Sequence, residues 1–324
     1  MSATDSMPET QDMLSPADSR ATAQGSRFFC VIPNDDVSAE RNTTPWWLWW
    51  NILSLDAPTV AAVWALLLAR ASHMRLRAAD EIVLSLVVWC IYISDRLFDG
   101  LRQGNRKEVL HERHLFCAKH RRALTWLLVL AAAAALWVTA GFLTRMEVTA
   151  GMKLAAIIGT YMASIHACHG SMARFVPKEV AVGILFAAGT TLPVWSRASQ
   201  FSWDVWALFG LFAVLCFLNC FAIDCWEKGG CAYDWFRRNS PVVGRAETRV
   251  NQIAAALAAS TFAVMFARRD NGLFGSGLAA ICLAALLICV LNRHRNRLPV
   301  QALRVLADAT LVVVGVLALA GGLL

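Results

Sequence analysis

The sequence has little charge for its length. Only 16% of its 324 residues are Asp, Glu, Lys or Arg, whereas 57% are hydrophobic and the mean hydropathy is +0.50. Soluble domains carry about 25% charged residues, so the composition excludes an ordinary soluble protein of one or two domains. We predict a single all-α, polytopic membrane domain over residues 46–324.

The first 45 residues contain no apolar run of useful length. They are rich in Ser, Thr, Ala, Asp and Glu, and the first apolar segment begins only at residue 46, after an acidic stretch. A secretory signal needs a basic start followed by an apolar stretch, so this segment does not have the pattern of one. We predict that residues 1–45 form a disordered cytoplasmic tail.

The cysteines lack the spacing of a disulfide framework or a zinc site. There are ten, and they are scattered along the chain, with several inside apolar segments. Cys216 and Cys220 could share a helix face, but no second pair stands at zinc-binding spacing. We interpret the cysteines as small buried apolar residues.

Long apolar segments dominate the rest of the chain. A helix needs roughly 17 to 25 apolar residues to cross about 30 Å of hydrocarbon. Nine segments meet this length, at 47–70, 80–98, 123–143, 147–168, 177–196, 203–226, 250–267, 272–292 and 302–323. The sequence therefore predicts nine transmembrane helices.

The basic residues predict the orientation. Most of the loop Lys and Arg lie in the connections after spans two, four, six and eight. Because basic residues are retained on the cytoplasmic side, we expect a cytoplasmic N-terminus in an integral, multi-pass membrane protein, of the inner membrane if the source is bacterial. The net charge of +7 then reflects topology and contact with anionic membrane lipids, and no nucleic acid partner.

Two acidic clusters stand at the ends of two spans. Asp95 and Asp99 close the second span, and Asp224 and Glu227 close the sixth. Residues three or four apart share a helix face, so each pair can present two carboxylates to one point. Such carboxylates are costly in a membrane unless paired, hydrated or bound to a cation. Hard oxygen ligands suit Mg²⁺, and we predict that all four residues form one catalytic magnesium site.

Basic residues near these clusters are candidates for binding a diphosphate. Five of them stand beside the clusters or in the loop between spans four and five: Arg96, Arg102, Arg174, Lys178 and Lys228. The alternative is that Asp95 and Asp99 only pair with nearby arginines at a helix end, as charges at a membrane interface often do.

The acidic clusters and the nine spans resemble the UbiA superfamily of intramembrane prenyltransferases. The first motif of that family is Asn-Asp-x-x-Asp-x-x-x-Asp. Asp95 and Asp99 match its last two acids, whereas Ile91 and Tyr92 stand in place of the leading Asn-Asp. The second motif follows the sixth helix and is matched in part, by Asp224 and Glu227, with Lys228 one turn after Asp224. The resemblance covers nearly all of the chain from residue 46.

The resemblance implies a fold and an activity. It implies a bundle of nine helices around a central cavity, with Mg²⁺ and an isoprenyl diphosphate held between the two motifs and with Arg174 and Lys178 binding the diphosphate. The expected activity is magnesium-dependent transfer of an isoprenyl group to a lipophilic or aromatic acceptor in the membrane. The alternatives are a terpene cyclase of the same family, and a non-catalytic or transport protein with the same fold.

Two further carboxylates lie within predicted spans. Asp56 is in the first span and Asp308 is in the ninth, where an unpaired carboxylate is costly. Each is expected either to face the cavity or to pair with a basic residue such as Arg304, one turn before Asp308.

Overall fold

The computed structural model describes most of the chain from residue 46. The described residues are 46–102, 116, 119–167, 177–197, 203–228, 246–268 and 272–321. The predicted tail, residues 1–45, lies outside them. Within these ranges every regular element is a helix and none is a strand, so the prediction of an all-α fold is confirmed there.

A long helix stands at the position of each of the nine predicted spans in the described ranges. We number the helices in chain order: α1 (Trp49–Ile52), α2 (Asp56–Ala71), α3 (Ala78–Arg102), α4 (Arg121–Phe142), α5 (Arg145–Ala167), α6 (Lys178–Trp195), α7 (Trp203–Lys228), α8 (Ala246–Arg268), α9 (Leu273–His294) and α10 (Val300–Gly321). The short α1 belongs to the first predicted span.

Several of these helices are suited to a membrane. Among the described residues α4, α7, α8, α9 and α10 are long and apolar enough to cross one, and α1 with α2 adds a sixth span if this pair, bent by 78°, crosses as one unit. Helices α3, α5 and α6 are not among these; α3 and α5 carry several charged residues, and the shorter α6 begins with Lys178 and Glu179. The chain therefore has the character of an integral, multi-pass membrane protein.

Helices α2 and α7 form the centre of the bundle. Helix α2 packs against α3, α6, α9 and α10, and α7 packs against α6, α8, α9 and α10. Between them Trp64 is fully buried and stacks on Phe212 at 4.7 Å between ring centroids. Its indole nitrogen donates to the carbonyl oxygen of Leu311 at 3.0 Å, which links α2, α7 and α10.

Glycine permits the closest approach between α6 and α7. A Cβ atom at Gly183 would lie 2.7 Å from the backbone nitrogen and Cα of Phe217. Real Cβ contacts are longer than this, so only glycine fits. Small residues allow helix backbones to approach closely in membrane proteins, and here one of them fixes α6 against the central helix.

The outer helices show apolar side chains to the surroundings. Trp126 and Trp137 on α4 are 70% and 72% exposed, and Leu130 and Leu136 on the same helix are also exposed. In water such a surface would be unfavourable. In a membrane it faces hydrocarbon, which agrees with the high hydropathy of this helix.

The break between α1 and α2 is held by α3. Ser54, in the break, has a φ of 55°, which is unusual for a residue other than glycine. Arg96 donates to the carbonyl oxygens of Asn51 and Ile52 at 2.7 and 3.0 Å, and Trp89 donates to that of Leu53 at 3.0 Å. Side chains of α3 thus satisfy carbonyl groups that a continuous helix would have bonded internally.

Candidate functional site

Two predicted site residues meet where α3 ends and α6 begins. The ammonium group of Lys178 lies 3.3 Å from a carboxylate oxygen of Asp95. Their side chains are 45% and 28% exposed. Tyr161 of α5 and Glu179 lie near enough to interact electrostatically with each other, and Tyr161 interacts likewise with Asp95. We call this region of the bundle the Asp95 end.

The second acidic cluster lies at the end of α7. Asp224 is buried, with 6% of its surface exposed, and Glu227 forms an ion pair with Arg304 of α10 at 2.5 Å. The sequence offered Arg304 as a partner for Asp308, one turn away on the same helix. The structure pairs it with Glu227 instead, so this ion pair joins two helices.

Cys220 of α7 lies near enough to charged residues of two other helices to interact with them electrostatically. Cys220, one turn before Asp224, interacts with Lys178 and Glu179 of α6 and also with Asp308 of α10. Since Lys178 also contacts Asp95, Cys220 of α7 lies near the Asp95 end. This arrangement follows from the central position of α7, which packs against both α6 and α10.

Farther into the bundle, Asp56 and Asp308 interact with each other. Their carboxyl groups lie in side-chain hydrogen-bonding contact. The side-chain amides of Asn51 and Asn219 donate to Asp56 and Asp308, at 2.5 and 2.9 Å respectively. Tyr92 of α3 lies close enough to interact electrostatically with both carboxyl groups. Both residues thus face the interior, as expected, but they pair with each other.

Arg96, which was also expected to bind a diphosphate, contacts the backbone at the α1–α2 break. Its side chain is buried at 8% exposure, and its guanidinium group binds the carbonyl groups at the α1–α2 break. It also interacts electrostatically with Asp308. In this structure Arg96 stabilises the break and contributes positive charge to the interior.

The other predicted site residues fall outside what the structure describes. Asp99 and Arg102 lie in the last turns of α3, and Lys228 is the last residue of α7, but their side chains are not among the described ones. Arg174 lies in the connection before α6, which is also outside the described residues.

The four predicted magnesium ligands fit the ion in their chemistry, because all are carboxylates. The three described ones, however, do not surround one point. Asp95 contacts Lys178, Glu227 contacts Arg304, and among the described residues no group of three His, Cys, Asp or Glu side chains is arranged to hold a metal ion. The described carboxylates alone therefore do not make a magnesium site.

A buried ion cluster at the other end of α3 was not predicted. Arg77 donates to Asp80 at 3.0 Å and to Glu147 at 2.6 Å, and Arg197 binds both of these carboxylates as well. The side chains of Asp80 and Glu147 are only 2% and 1% exposed. We call this region the Asp80 end.

One sequence signal could have revealed part of this cluster. Thr144 and Glu147 form a capping box at the start of α5, with the Thr144 backbone nitrogen 2.7 Å from the Glu147 carboxylate. The pattern Thr-x-x-Glu before an apolar run is typical of a helix start. Arg197 carries no comparable signal, because it reaches the cluster only through the packing of α6.

A comparison of the chain with protein-family models, with curated proteins and with solved structures finds no match.

Proposed function

We propose that the chain is a membrane-embedded enzyme that transfers an isoprenyl group from a polyprenyl diphosphate to a lipophilic or aromatic acceptor. The observation that supports this most is the contact between Asp95 and Lys178. Asp95 was predicted as a metal ligand, and the resemblance implies diphosphate binding for Lys178, which stands on a different helix. Their contact at 3.3 Å supports the proposal, because it brings a predicted metal ligand and a predicted diphosphate ligand together.

The proposed chemistry uses a charged end and an apolar interior. Lys178 binds an oxygen of the diphosphate, and Arg102, Arg174 and Lys228 are proposed to bind it from the adjoining segments. The allylic C–O bond then breaks, and the diphosphate leaves with the electron pair. A nucleophilic atom of the acceptor forms the new bond to carbon and loses a proton.

Magnesium is part of this proposal. Asp95, Asp99, Asp224 and Glu227 are the residues proposed to hold it, and a bound Mg²⁺ supplies charge neutralisation of the leaving diphosphate.

The topology belongs to the proposal too. We propose nine membrane spans in a UbiA-like bundle, with the N-terminus and the connections 99–122 and 227–249 on the cytoplasmic side. The concentration of basic residues in these connections supports the orientation. Labelling of single cysteines introduced into each connection, from one face of the membrane at a time, tests it. Labelling of the two connections from opposite faces would contradict the topology.

The direct test is a diphosphate-release assay on the purified full chain. We expect pyrophosphate from at least one of geranyl, farnesyl and geranylgeranyl diphosphate in the presence of Mg²⁺, and none with EDTA. Release that needs an added acceptor indicates a transferase, and release without one indicates a cyclase. No magnesium-dependent release from any of the three would contradict the proposal.

Two variants make the assay specific to the Asp95 end. We expect Lys178→Gln to lower release by about 10-fold or more, because the ammonium group contacts the charge that develops on the leaving group. Arg268→Gln is the matched control, since Arg268 forms an ion pair with Asp204 where α8 ends and α7 begins. An equal loss in both variants would assign the effect to stability and contradict the proposed role of Lys178.

A non-catalytic or transport function is the second candidate. It is favoured by the pairing of both Asp95 and Glu227 with basic residues of the bundle, because such pairs also occur where carboxylates only join helices. Solute flux into proteoliposomes that carry the chain, without magnesium-dependent diphosphate release, would favour this candidate over the enzyme.

A further inference from the structure

The contact between Asp56 and Asp308 requires a hydrogen atom. Their carboxyl groups lie in hydrogen-bonding contact inside the bundle, and two ionised carboxylates carry only acceptors. Asp56 is buried and Asp308 is partly buried, so two like charges in contact there repel, and one shared proton removes the conflict. The amide donors of Asn51 and Asn219 satisfy other lone pairs but do not supply a hydrogen between the two acids.

Asn219 provides an independent indication. Its side chain is 93% buried, its amide nitrogen donates to Asp308 at 2.9 Å, and its amide oxygen has no donor among the described residues. Buried acceptors are nearly always satisfied. A protonated carboxyl group would add a donor to this region, which two ionised carboxylates lack.

The surrounding charges favour one proton. The groups that interact with Asp308 come from three helices: Asp56 of α2, Arg96 and Tyr92 of α3, and Asn219 and Cys220 of α7. Of these, Arg96 carries a positive charge. With one proton on the carboxyl pair, the remaining negative charge balances Arg96. Without it, the interior carries a net negative charge, which is unfavourable at low dielectric.

The other helix packed on α10 directs its thiol groups elsewhere. Helix α9 contacts α10, but Cys282 and Cys289 of α9 contact the Ala258 carbonyl group and the Asn251 side chain of α8, at 3.7 and 3.3 Å. They therefore do not face the carboxyl pair.

We propose that Asp56, Asp308 and Asn219 form a proton-binding site inside the helical bundle, in which one exchangeable proton bridges the two carboxyl groups. The site lies directly after the break between α1 and α2, since Asp56 is the first residue of α2. Broken helices in membrane proteins commonly border ion sites. The inference stands apart from the proposed enzymatic function, because it uses none of the residues proposed there to hold Mg²⁺ or the diphosphate.

Infrared spectroscopy of the full chain tests the proposal. We expect a C=O stretching band of a protonated carboxyl group near neutral pH that shifts in D₂O and is absent from both Asp56→Asn and Asp308→Asn. Asp204→Asn, which changes an aspartate paired with Arg268, should keep the band. A wild-type protein without the band, or a band that persists in both variants, would overturn the proposal.

A sodium titration distinguishes the proton from a small cation. The proposal predicts that replacing choline chloride by sodium chloride at constant ionic strength leaves the band unchanged. Loss of the band with sodium would assign the site to Na⁺ and overturn the proposal as stated.

Stability against pH gives a second readout if one variant folds poorly. Near neutral pH the carboxyl groups of the unfolded chain are ionised, whereas the proposed site in the folded state still holds one proton. The free energy of unfolding must therefore fall as the pH rises. We expect Asp56→Asn or Asp308→Asn, whichever yields folded protein, to have a shallower fall than the wild type. The same slope in the wild type and in the folded variant would contradict the site.

Discussion

The two ends of α3 use the same kinds of charged residues in different ways. At the Asp80 end two carboxylates are almost fully buried, at 2% and 1% exposure, and two arginines bind both of them. At the Asp95 end Lys178 contacts Asp95, and the side chains of Lys178 and Asp95 are 45% and 28% exposed. Thus the Asp80 end is closed by mutual ion pairing, whereas the Asp95 end keeps charge accessible to a ligand.

Helix α6 connects these two ends. It begins with Lys178 at the Asp95 end and is followed by Arg197 at the Asp80 end. Burial decides the energetic value of each contact. Removing one partner of a buried ion pair leaves an unpaired charge and costs about 3–5 kcal/mol, whereas an exposed pair contributes about 0–1 kcal/mol. The comparison therefore predicts that the Asp80 end mainly stabilises the fold and that the Asp95 end mainly serves function.

The largest expected effect is on the Asp80 end. Arg197→Met removes one of the two arginines and leaves Asp80 and Glu147 to share Arg77, so we expect the free energy of unfolding to fall by about 3–5 kcal/mol. Unfolding in detergent micelles by heat or by a denaturing detergent measures it. Arg268→Met is the control, because its ion pair with Asp204 is exposed. Equal losses of unfolding free energy in both variants would show that burial does not decide the value of these ion pairs.

A smaller effect on the free energy of unfolding is expected at Gly183, which lies on α6 between the two ends. Gly183→Ala places a Cβ atom against the backbone of Phe217, so α6 must move from α7 at a cost of about 1–3 kcal/mol. Gly210→Ala on α7 is the control, because a Cβ atom there meets nothing within 4 Å, and it should stabilise by up to about 1 kcal/mol through helix propensity. A Gly183→Ala protein as stable as the wild type would show that α6 tolerates this displacement.

The smallest expected effect on stability is at the Asp95 end. Lys178→Gln should change the free energy of unfolding by only about 0–1 kcal/mol, because both partners of its ion pair are substantially exposed. The same unfolding measurement tests this. A loss as large as that of Arg197→Met would make the Lys178 contact structural and would remove the difference between the ends.

The positions of the helices could be predicted from the sequence, because hydrophobic length is a local property. Each predicted span contains a described helix, whereas the count of spans that cross a membrane remains part of the proposal. The capping box of Thr144 and Glu147 is also local and readable. The partners of the charged residues are not, since they depend on how helices distant in sequence pack.

Arg304 and Arg197 illustrate this limit. Arg304 lies one turn from Asp308 in sequence, yet it binds Glu227 on another helix. Arg197 reaches Asp80 and Glu147 only because α6 packs against α5 and lies near α3. The pairing of Asp56 with Asp308 likewise depends on α2 lying beside α10. A pattern of spans and charges does not determine which helices are neighbours.

The most direct test of the difference between the two ends compares Asp95→Asn with Asp80→Asn, each measured for unfolding and for magnesium-dependent diphosphate release per folded molecule. We predict that Asp95→Asn keeps wild-type stability within about 1 kcal/mol and loses about 100-fold or more of the release. We predict that Asp80→Asn loses about 3–5 kcal/mol of stability and keeps its release. Wild-type release in Asp95→Asn, with a loss in Asp80→Asn, would contradict the assignment of function to the Asp95 end.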